Sequence, residues 1–117
     1  MAEPTIEEVF GIGTTRLASG EAAPGAGLFI PDSALVVSGL TTPGTATAEG
    51  HLVSILLGAK SYLNQSNFDA NLDQSIIIEN GFSSITQRGE ALAEYRNDPL
   101  TINLWKSSTN IRNPNDY

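Results

Sequence analysis

Residues 45–64 constrain the fold most, because apolar side chains recur along them at the spacing of an α-helix. At 100° per residue they form one broad apolar face, made of Leu52, Val53, Ile55, Leu56, Leu57, Ala59 and Leu63. Thr45 or Thr47 can cap the first turn, while Glu49 and Lys60 complement the two ends of the helix dipole. We therefore predict one main amphipathic helix whose apolar face forms the core.

Another strip of this helix carries small residues, namely Gly50, Ser54, Gly58 and Ser61. Two glycines cost a helix roughly 2 kcal/mol relative to alanine. Close packing of a second backbone, from a neighbouring strand or a symmetry mate, would offset that loss. The alternative is a solvated strip that tolerates small residues. We treat the four residues as candidate interface residues.

The rest of the central region has the features of strands. Residues 75–79 and 82–87 are predicted strands, and Asn80-Gly81 between them is a hairpin or bulge signal. Residues 94–106 alternate between apolar and polar, and Pro99 marks an edge. Residues 28–30 predict a shorter strand, followed by a turn or helix start at Pro31. The predicted fold class is α+β, with the main helix packed on a small antiparallel sheet.

The chain length of 117 residues fits one modest core. Residues 1–27 are rich in Gly, Ala and Pro and predict an extended N-terminal arm. Residues 28–106 form the predicted single domain, and residues 107–117 a polar C-terminal arm. Because Ile111 and Tyr117 are the sizeable apolar groups of that arm, we expect them to anchor it on a neighbouring molecule.

Composition favours a protein partner. The net charge is −7, and the first 74 residues hold eight acids against Arg16 and Lys60, so nucleic acid is not an expected partner. Charged residues make up 16%, below the usual share of about 25%, so an interface would strip few strongly hydrated groups. The sequence has no cysteine, no signal-peptide pattern and no apolar run long enough to span a membrane. These features predict assembly in a cytoplasm.

The residues offer no convergent set for catalysis or cofactor binding. His51 is the only histidine, and Glu49, its nearest carboxylate in sequence, lies two positions away and points in another direction. We therefore expect a surface or interface histidine. Gly11-Ile12-Gly13 resembles a phosphate loop only in part, because a dinucleotide fingerprint needs a third glycine where Arg16 stands. No enzyme activity and no cofactor are predicted.

Asp69, Asn71 and Asp73 alternate as the opening of a calcium loop does. The pattern then fails, because Gln74 occupies the position of the required glycine and Asn80 that of the bidentate glutamate. No metal site is predicted, and we interpret the segment as a hydrogen-bonding connector.

Trp105 has the opposite strand parity to the apolar triplet Leu100, Ile102 and Leu104. It is either an exposed interface anchor, since tryptophan is enriched among binding hot spots, or a cover for the second face of the sheet. Stacking of aromatic residues with nucleic-acid bases is disfavoured, because this half of the chain has four basic residues against five acids.

Residues 67–78 (NFDANLDQSIII), 98–104 (DPLTINL) and 113–117 (NPNDY) resemble short proteins of cyanobacteria and their phages. The resemblance runs from the helix to the C-terminus and implies a virion structural protein. Capsid decoration (cement) or a neck or tail component are the roles it implies. It transfers no residue-level site.

We therefore predict a virion structural protein that forms homo-oligomers and contacts a major capsid or other virion protein. Its expected location is the virion, after assembly in the host cytoplasm. The alternative is a small non-enzymatic binding or regulatory domain acting as a homodimer.

Overall fold

The computed structural model describes residues 3–106 and 113–117. Local contacts divide the chain into two units, Met1–Gly58 and Ala59–Tyr117. The helices are α1 (Ile6–Phe10), α2 (Asp32–Val37), α3 (Ala48–Tyr62) and α4 (Gln65–Ala70), and the strands are β1 (Ile76–Asn80), β2 (Ser84–Arg88), β3 (Ala93–Asn97) and β4 (Leu100–Leu104). Short 3-10 turns span Pro43–Thr45 and Pro114–Asp116. The predicted α+β class with one long helix is confirmed, whereas the division into residues 1–27, 28–106 and 107–117 stays a prediction.

The N-terminal segment is extended only in part, because α1 forms within the predicted arm. The Thr5 hydroxyl accepts a hydrogen bond from the Glu8 backbone N–H at 3.1 Å, and the Glu8 carboxylate accepts one from the Thr5 N–H at 2.9 Å. This capping box satisfies two backbone donors that a short helix leaves unpaired. The bonds to Thr5 favour the ionised carboxylate and lower the pKa of Glu8.

The predicted strand at residues 28–30 is wrong, because these residues are exposed and have no strand partner. The helix start predicted beside them is confirmed, and α2 follows Pro31 directly. It ends in a Schellman motif, in which the Leu40 N–H donates to the Leu35 carbonyl at 3.0 Å and the Gly39 N–H to the Val36 carbonyl at 3.0 Å. Gly39 has φ +105°, a conformation that glycine adopts without strain.

Helix α3 starts as expected but buries a different face from the predicted one. The Thr47 hydroxyl accepts from the Gly50 N–H at 3.0 Å and caps the helix. The buried side chains of α3 are Ala48, His51 and Ser54, whereas Leu52, Val53 and Leu57 are exposed. The prediction failed because the small residues Gly50, Ser54 and Gly58 let α2 and the residues after it pack closely against that side of α3. Much of the apolar face therefore remains in solvent.

In the second unit, the four strands form one interrupted hairpin rather than a single small sheet. β1 pairs antiparallel with β4, and β2 with β3, in two separate two-stranded ladders. The chain reverses at residues 89–92, so Asn80-Gly81 is not the hairpin turn. Three residues separate β1 from β2, whereas two separate β3 from β4, so one strand carries an extra residue at the break. Asn80-Gly81 thus begins a bulge, the other structure that this dipeptide predicted.

The ladder of β1 and β4 contains the buried apolar residues of this unit. Ile77 and Ile78 are buried, and the Ile78 N–H donates to the Leu63 carbonyl at 2.8 Å. The Trp105 N–H donates to the Ser75 carbonyl at 2.7 Å and extends the ladder by one pair. The predicted face of Leu100, Ile102 and Leu104 lies opposite Asn80, Ile78 and Ile76.

Gly81→Ala should destabilise the bulge by about 1–3 kcal/mol through overpacking. A β-carbon at residue 81 would lie 2.9 Å from the Pro99 β-carbon and 3.4 Å from its carbonyl oxygen, neither of which can rotate away. Gly27→Ala is the matched control, because no atom lies within 4 Å of a β-carbon there. Chemical unfolding should show a control change within about 0.5 kcal/mol. Equal stability of the two variants would contradict the close approach at Pro99.

Candidate protein-binding surface

The end of the hairpin, residues 82–98, is the segment that we call the hairpin arm. Every residue of the arm is exposed, including all of β2 and β3. The buried apolar side chains of the hairpin, Ile77 and Ile78, lie in the ladder of β1 and β4. The arm has a regular backbone without a core of its own.

The hairpin arm carries several large apolar side chains into solvent. Phe82 is 98% exposed and Ile85 71% exposed, and Leu92 and Tyr95 are also exposed. Leu92 lies in the turn with φ +52°, a conformation that is uncommon for residues other than glycine. Large apolar side chains that are left this exposed are candidates for burial against another protein.

Side-chain contacts lie at both ends of the arm. Near the bulge, the Ser83 hydroxyl and the Arg96 guanidinium both donate to the Asp98 carboxylate, the latter at 2.7 Å. These bonds lower the pKa of Asp98, and the Asp98 bond raises the pKa of Arg96. Near the turn, the Arg88 guanidinium lies 5.4 Å from the centre of the Tyr95 ring. All of these contacts face solvent, where such pairs contribute little stability.

Three of the predicted interface residues pack inside the first unit instead. The Ser54 hydroxyl is buried and donates to the Leu35 carbonyl at 2.9 Å. A β-carbon at Gly50 would lie 3.5 Å from the Leu40 side chain, and one at Gly58 only 2.6 Å from the Ser38 hydroxyl. The Leu35 backbone meets the strip at Ser54, whereas side chains of the same chain lie beside Gly50 and Gly58. Contact with another molecule at Gly50, Ser54 and Gly58 stays a prediction.

Gly58→Leu should lower the free energy of unfolding by about 1–3 kcal/mol, because the larger side chain overpacks against Ser38. This loss outweighs the gain in helix propensity, which is at most about 1 kcal/mol. In a Ser38→Ala background, Gly58→Ala should instead be neutral or stabilising, because the closest contact, the Ser38 hydroxyl, is gone. Thermal unfolding of these variants checks both signs. A Gly58→Leu chain as stable as the wild type would restore the solvated-strip interpretation.

The other predicted interface residues have different surroundings. Ser61 is exposed on α3. Trp105 is 54% exposed and packs one side against Phe68, with ring centres 5.5 Å apart. The Lys106 ammonium donates to Asp116 at 3.0 Å and lies 5.8 Å from the centre of the Tyr117 ring. Tyr117 therefore has a partner within its own chain. Ile111 lies outside the described residues.

His51 is buried, so the prediction of a surface or interface histidine is wrong. Its Nδ1 lies 2.7 Å from the Thr47 carbonyl, and its Nε2 contacts the Arg16 guanidinium. Since Arg16 can only donate, Nε2 is the accepting nitrogen and Nδ1 is the donor to the Thr47 carbonyl. Arg16 also binds both carboxylate oxygens of Asp32, at 2.7 and 2.8 Å. The network ties the long N-terminal loop to α2 and α3.

A cavity of about 880 Å³ adjoins this network. Its lining includes Phe10, Leu17, Phe29, Asp32 and His51. Most of the lining comes from residues 12–30, which form neither helix nor strand. Because both ring nitrogens of His51 already have partners, the histidine offers no lone pair to this cavity.

The predicted connector is hydrogen-bonded. The Asn71 side chain accepts from the Asp73 N–H at 3.0 Å, and the Gln65 amide donates to Asp69 at 2.8 Å.

Among residues 3–106 and 113–117, no group of three acidic, histidine or cysteine side chains is placed to hold a metal ion. No helix in the same ranges is long and apolar enough to cross a membrane. Comparison with protein-family models, curated proteins and solved structures finds no match.

Proposed function

We propose that this chain is a structural component of a multi-protein assembly and that it binds a partner through the hairpin arm. The observation that carries the proposal is the full exposure of residues 82–98 in a regular two-stranded ladder. An isolated two-stranded hairpin is at best marginally stable in water. A partner surface would supply the third strand or the packed face that the ladder lacks.

Exposed apolar side chains outside the arm also support a role in assembly. Ile12, Leu28 and Leu72 are almost completely exposed. Such a chain gains more from a neighbour than a compact monomer does.

A virion is the assembly that we propose, and capsid decoration (cement) or a neck or tail component are the roles. The likeness of residues 67–78, 98–104 and 113–117 to short phage and cyanobacterial proteins supports this choice. The net charge of −7 disfavours contact with packaged nucleic acid and favours contact with a protein shell. The expected partner is a major capsid or other virion protein.

Quantitative mass spectrometry of purified particles from the source tests the proposal. The chain should copurify with the particle at a fixed ratio to the major shell protein, and it should resist removal by moderate salt because its contacts are largely apolar. Absence from particles, together with recovery as a free protein in the cell extract, would contradict the virion role.

A further inference from the structure

The outer edge of β3 is open in the part of the chain that the structure describes. β3 pairs with β2 on one side, and no described strand pairs with its other side. All five β3 residues are exposed, and the edge contains no proline. An open, regular strand edge is a template for pairing with another chain.

The β3 sequence, Ala-Glu-Tyr-Arg-Asn, is complementary to itself when two copies run antiparallel about Tyr95. In that register Glu94 lies opposite the partner's Arg96, and Arg96 lies opposite the partner's Glu94. Tyr95 lies opposite the partner's Tyr95. Opposite charges directly across an antiparallel pair stabilise it, as aromatic pairs do. One strand therefore supplies two ion pairs and one aromatic pair to a two-fold contact.

Repulsion between like charges disfavours the neighbouring registers of this β3–β3 pairing. A two-fold axis perpendicular to the sheet leaves each side chain on the same face of the sheet. Because residues directly opposite each other share a face, the axis must place one residue opposite its own copy. Moving the axis to Glu94 would place two glutamates opposite each other, and moving it to Arg96 would oppose two arginines. Like charges directly opposite are destabilising. The outer edge of β2 offers no such charge complementarity, since antiparallel pairing of two copies about Thr86 would put Ile85 opposite Gln87.

The arm can approach its own copy despite the acidity of the chain. The hairpin arm contains Arg88 and Arg96 against Glu90, Glu94 and Asp98, so its formal charge is only −1, whereas the whole chain carries −7. The present partners of Arg96 are Asp98 and the Ser83 hydroxyl, and the side chains of Arg96 and Asp98 are mostly exposed. An ion pair in that setting is weak, so Arg96 can turn to a partner's carboxylate at little cost.

We infer that two copies of this chain pair along their β3 edges, antiparallel about Tyr95, and form a four-stranded sheet in the order β2–β3–β3–β2. The inference rests on the proposed function and names one partner of the hairpin arm, a second copy. A sheet generally needs at least three strands to be stable on its own. The ladder of β2 and β3 has two strands, whereas the paired sheet has four. The two-fold contact places the two Tyr95 side chains next to each other and leaves the outer edge of each β2 for other proteins.

Sedimentation equilibrium of the full chain and its charge variants tests the inference. The wild type should dimerise, and Glu94→Arg or Arg96→Glu alone should raise the dissociation constant by about ten-fold or more, because each variant opposes like charges. An equimolar mixture of these two single variants should recover dimerisation, since only opposite charges then meet across the edge. Glu90→Arg makes the same charge change in the turn and should leave the dissociation constant within about two-fold.

A cysteine scan gives a second readout, because the sequence contains no cysteine. In the proposed register, Tyr95→Cys lies opposite itself at a Cα separation of about 4.5–5.5 Å, which suits a disulfide. Mild oxidation should cross-link this variant and not Thr86→Cys. A wild-type monomer at all concentrations would overturn the inference, as would a dimer unaffected by the charge variants. If such a chain still copurified with particles, the proposed function would stand and only self-pairing would fail.

Discussion

Ile78→Ala should lower the free energy of unfolding by about 2–5 kcal/mol, the usual cost of truncating a buried isoleucine. Ile77 and Ile78 are the buried apolar residues among those described in the second unit, and Ile78 is only 4% exposed. Its backbone also binds the Leu63 carbonyl, so the β1 strand is fixed at this residue. Since so few side chains are buried, the loss is a large share of the stability of a small domain.

Ile85→Ala is the matched control, with the same chemical change on the other ladder of the hairpin. Ile85 is exposed, so the variant should change the unfolding free energy by less than about 0.5 kcal/mol. Urea unfolding, followed by circular dichroism, compares both variants with the wild type. A loss at Ile85 as large as that at Ile78 would mean that the hairpin arm is packed within the chain and is not a free binding element.

Removing the hairpin arm should abolish assembly while leaving the rest of the fold intact. The change replaces residues 82–98 by an Asn-Gly turn and keeps Gly81 and Pro99, whose backbones already bond at 2.8 Å. The buried residues lie outside the deleted segment, so the thermal midpoint should shift by no more than a few degrees. Incorporation into particles should fall by about ten-fold or more, as expected when an interface loses its central apolar side chains.

The readouts for this variant are the thermal midpoint of the free chain and its occupancy in particles assembled from purified parts. Ile85→Ala serves as an intermediate variant, because it removes one apolar contact without changing the backbone. Full occupancy of the trimmed chain would exclude the arm as the binding element. A collapse of the thermal midpoint would show instead that the arm supports the fold.

Much of the secondary structure is predictable from the sequence. The helix follows from the apolar period and from Thr47, and the first strand of the hairpin follows from its run of isoleucines. The Asn80-Gly81 signal was also informative, although it produced a bulge and the turn formed at residues 89–92. Helix α1 had a readable signal, the Thr5-x-x-Glu8 capping box, which the Gly- and Ala-rich composition of the segment obscured.

The sequence does not predict which face of each helix or strand is buried. The period of α3 shows that an apolar face exists, but tertiary packing decides which face is covered. Here the Leu35 carbonyl and Ser38 approach Ser54 and Gly58, so this side of the helix is covered while Leu52, Val53 and Leu57 of the predicted face are exposed. The exposure of the hairpin arm also lies beyond sequence patterns, because β2 and β3 form regular strands although every one of their residues is exposed. The interface prediction at Trp105 identified an exposed aromatic residue beside the ladder, away from the arm itself.

Hydrogen exchange of the backbone amides most directly tests the claim that the arm depends on a partner. In the free chain, diluted below any self-association, the interstrand amides of β2 and β3 should exchange at least about 100-fold faster than those of β1 and β4, since local opening follows burial. In the assembled particle, or in the self-paired dimer, protection should extend through residues 84–97. Equal protection of both ladders in the dilute free chain would contradict the account.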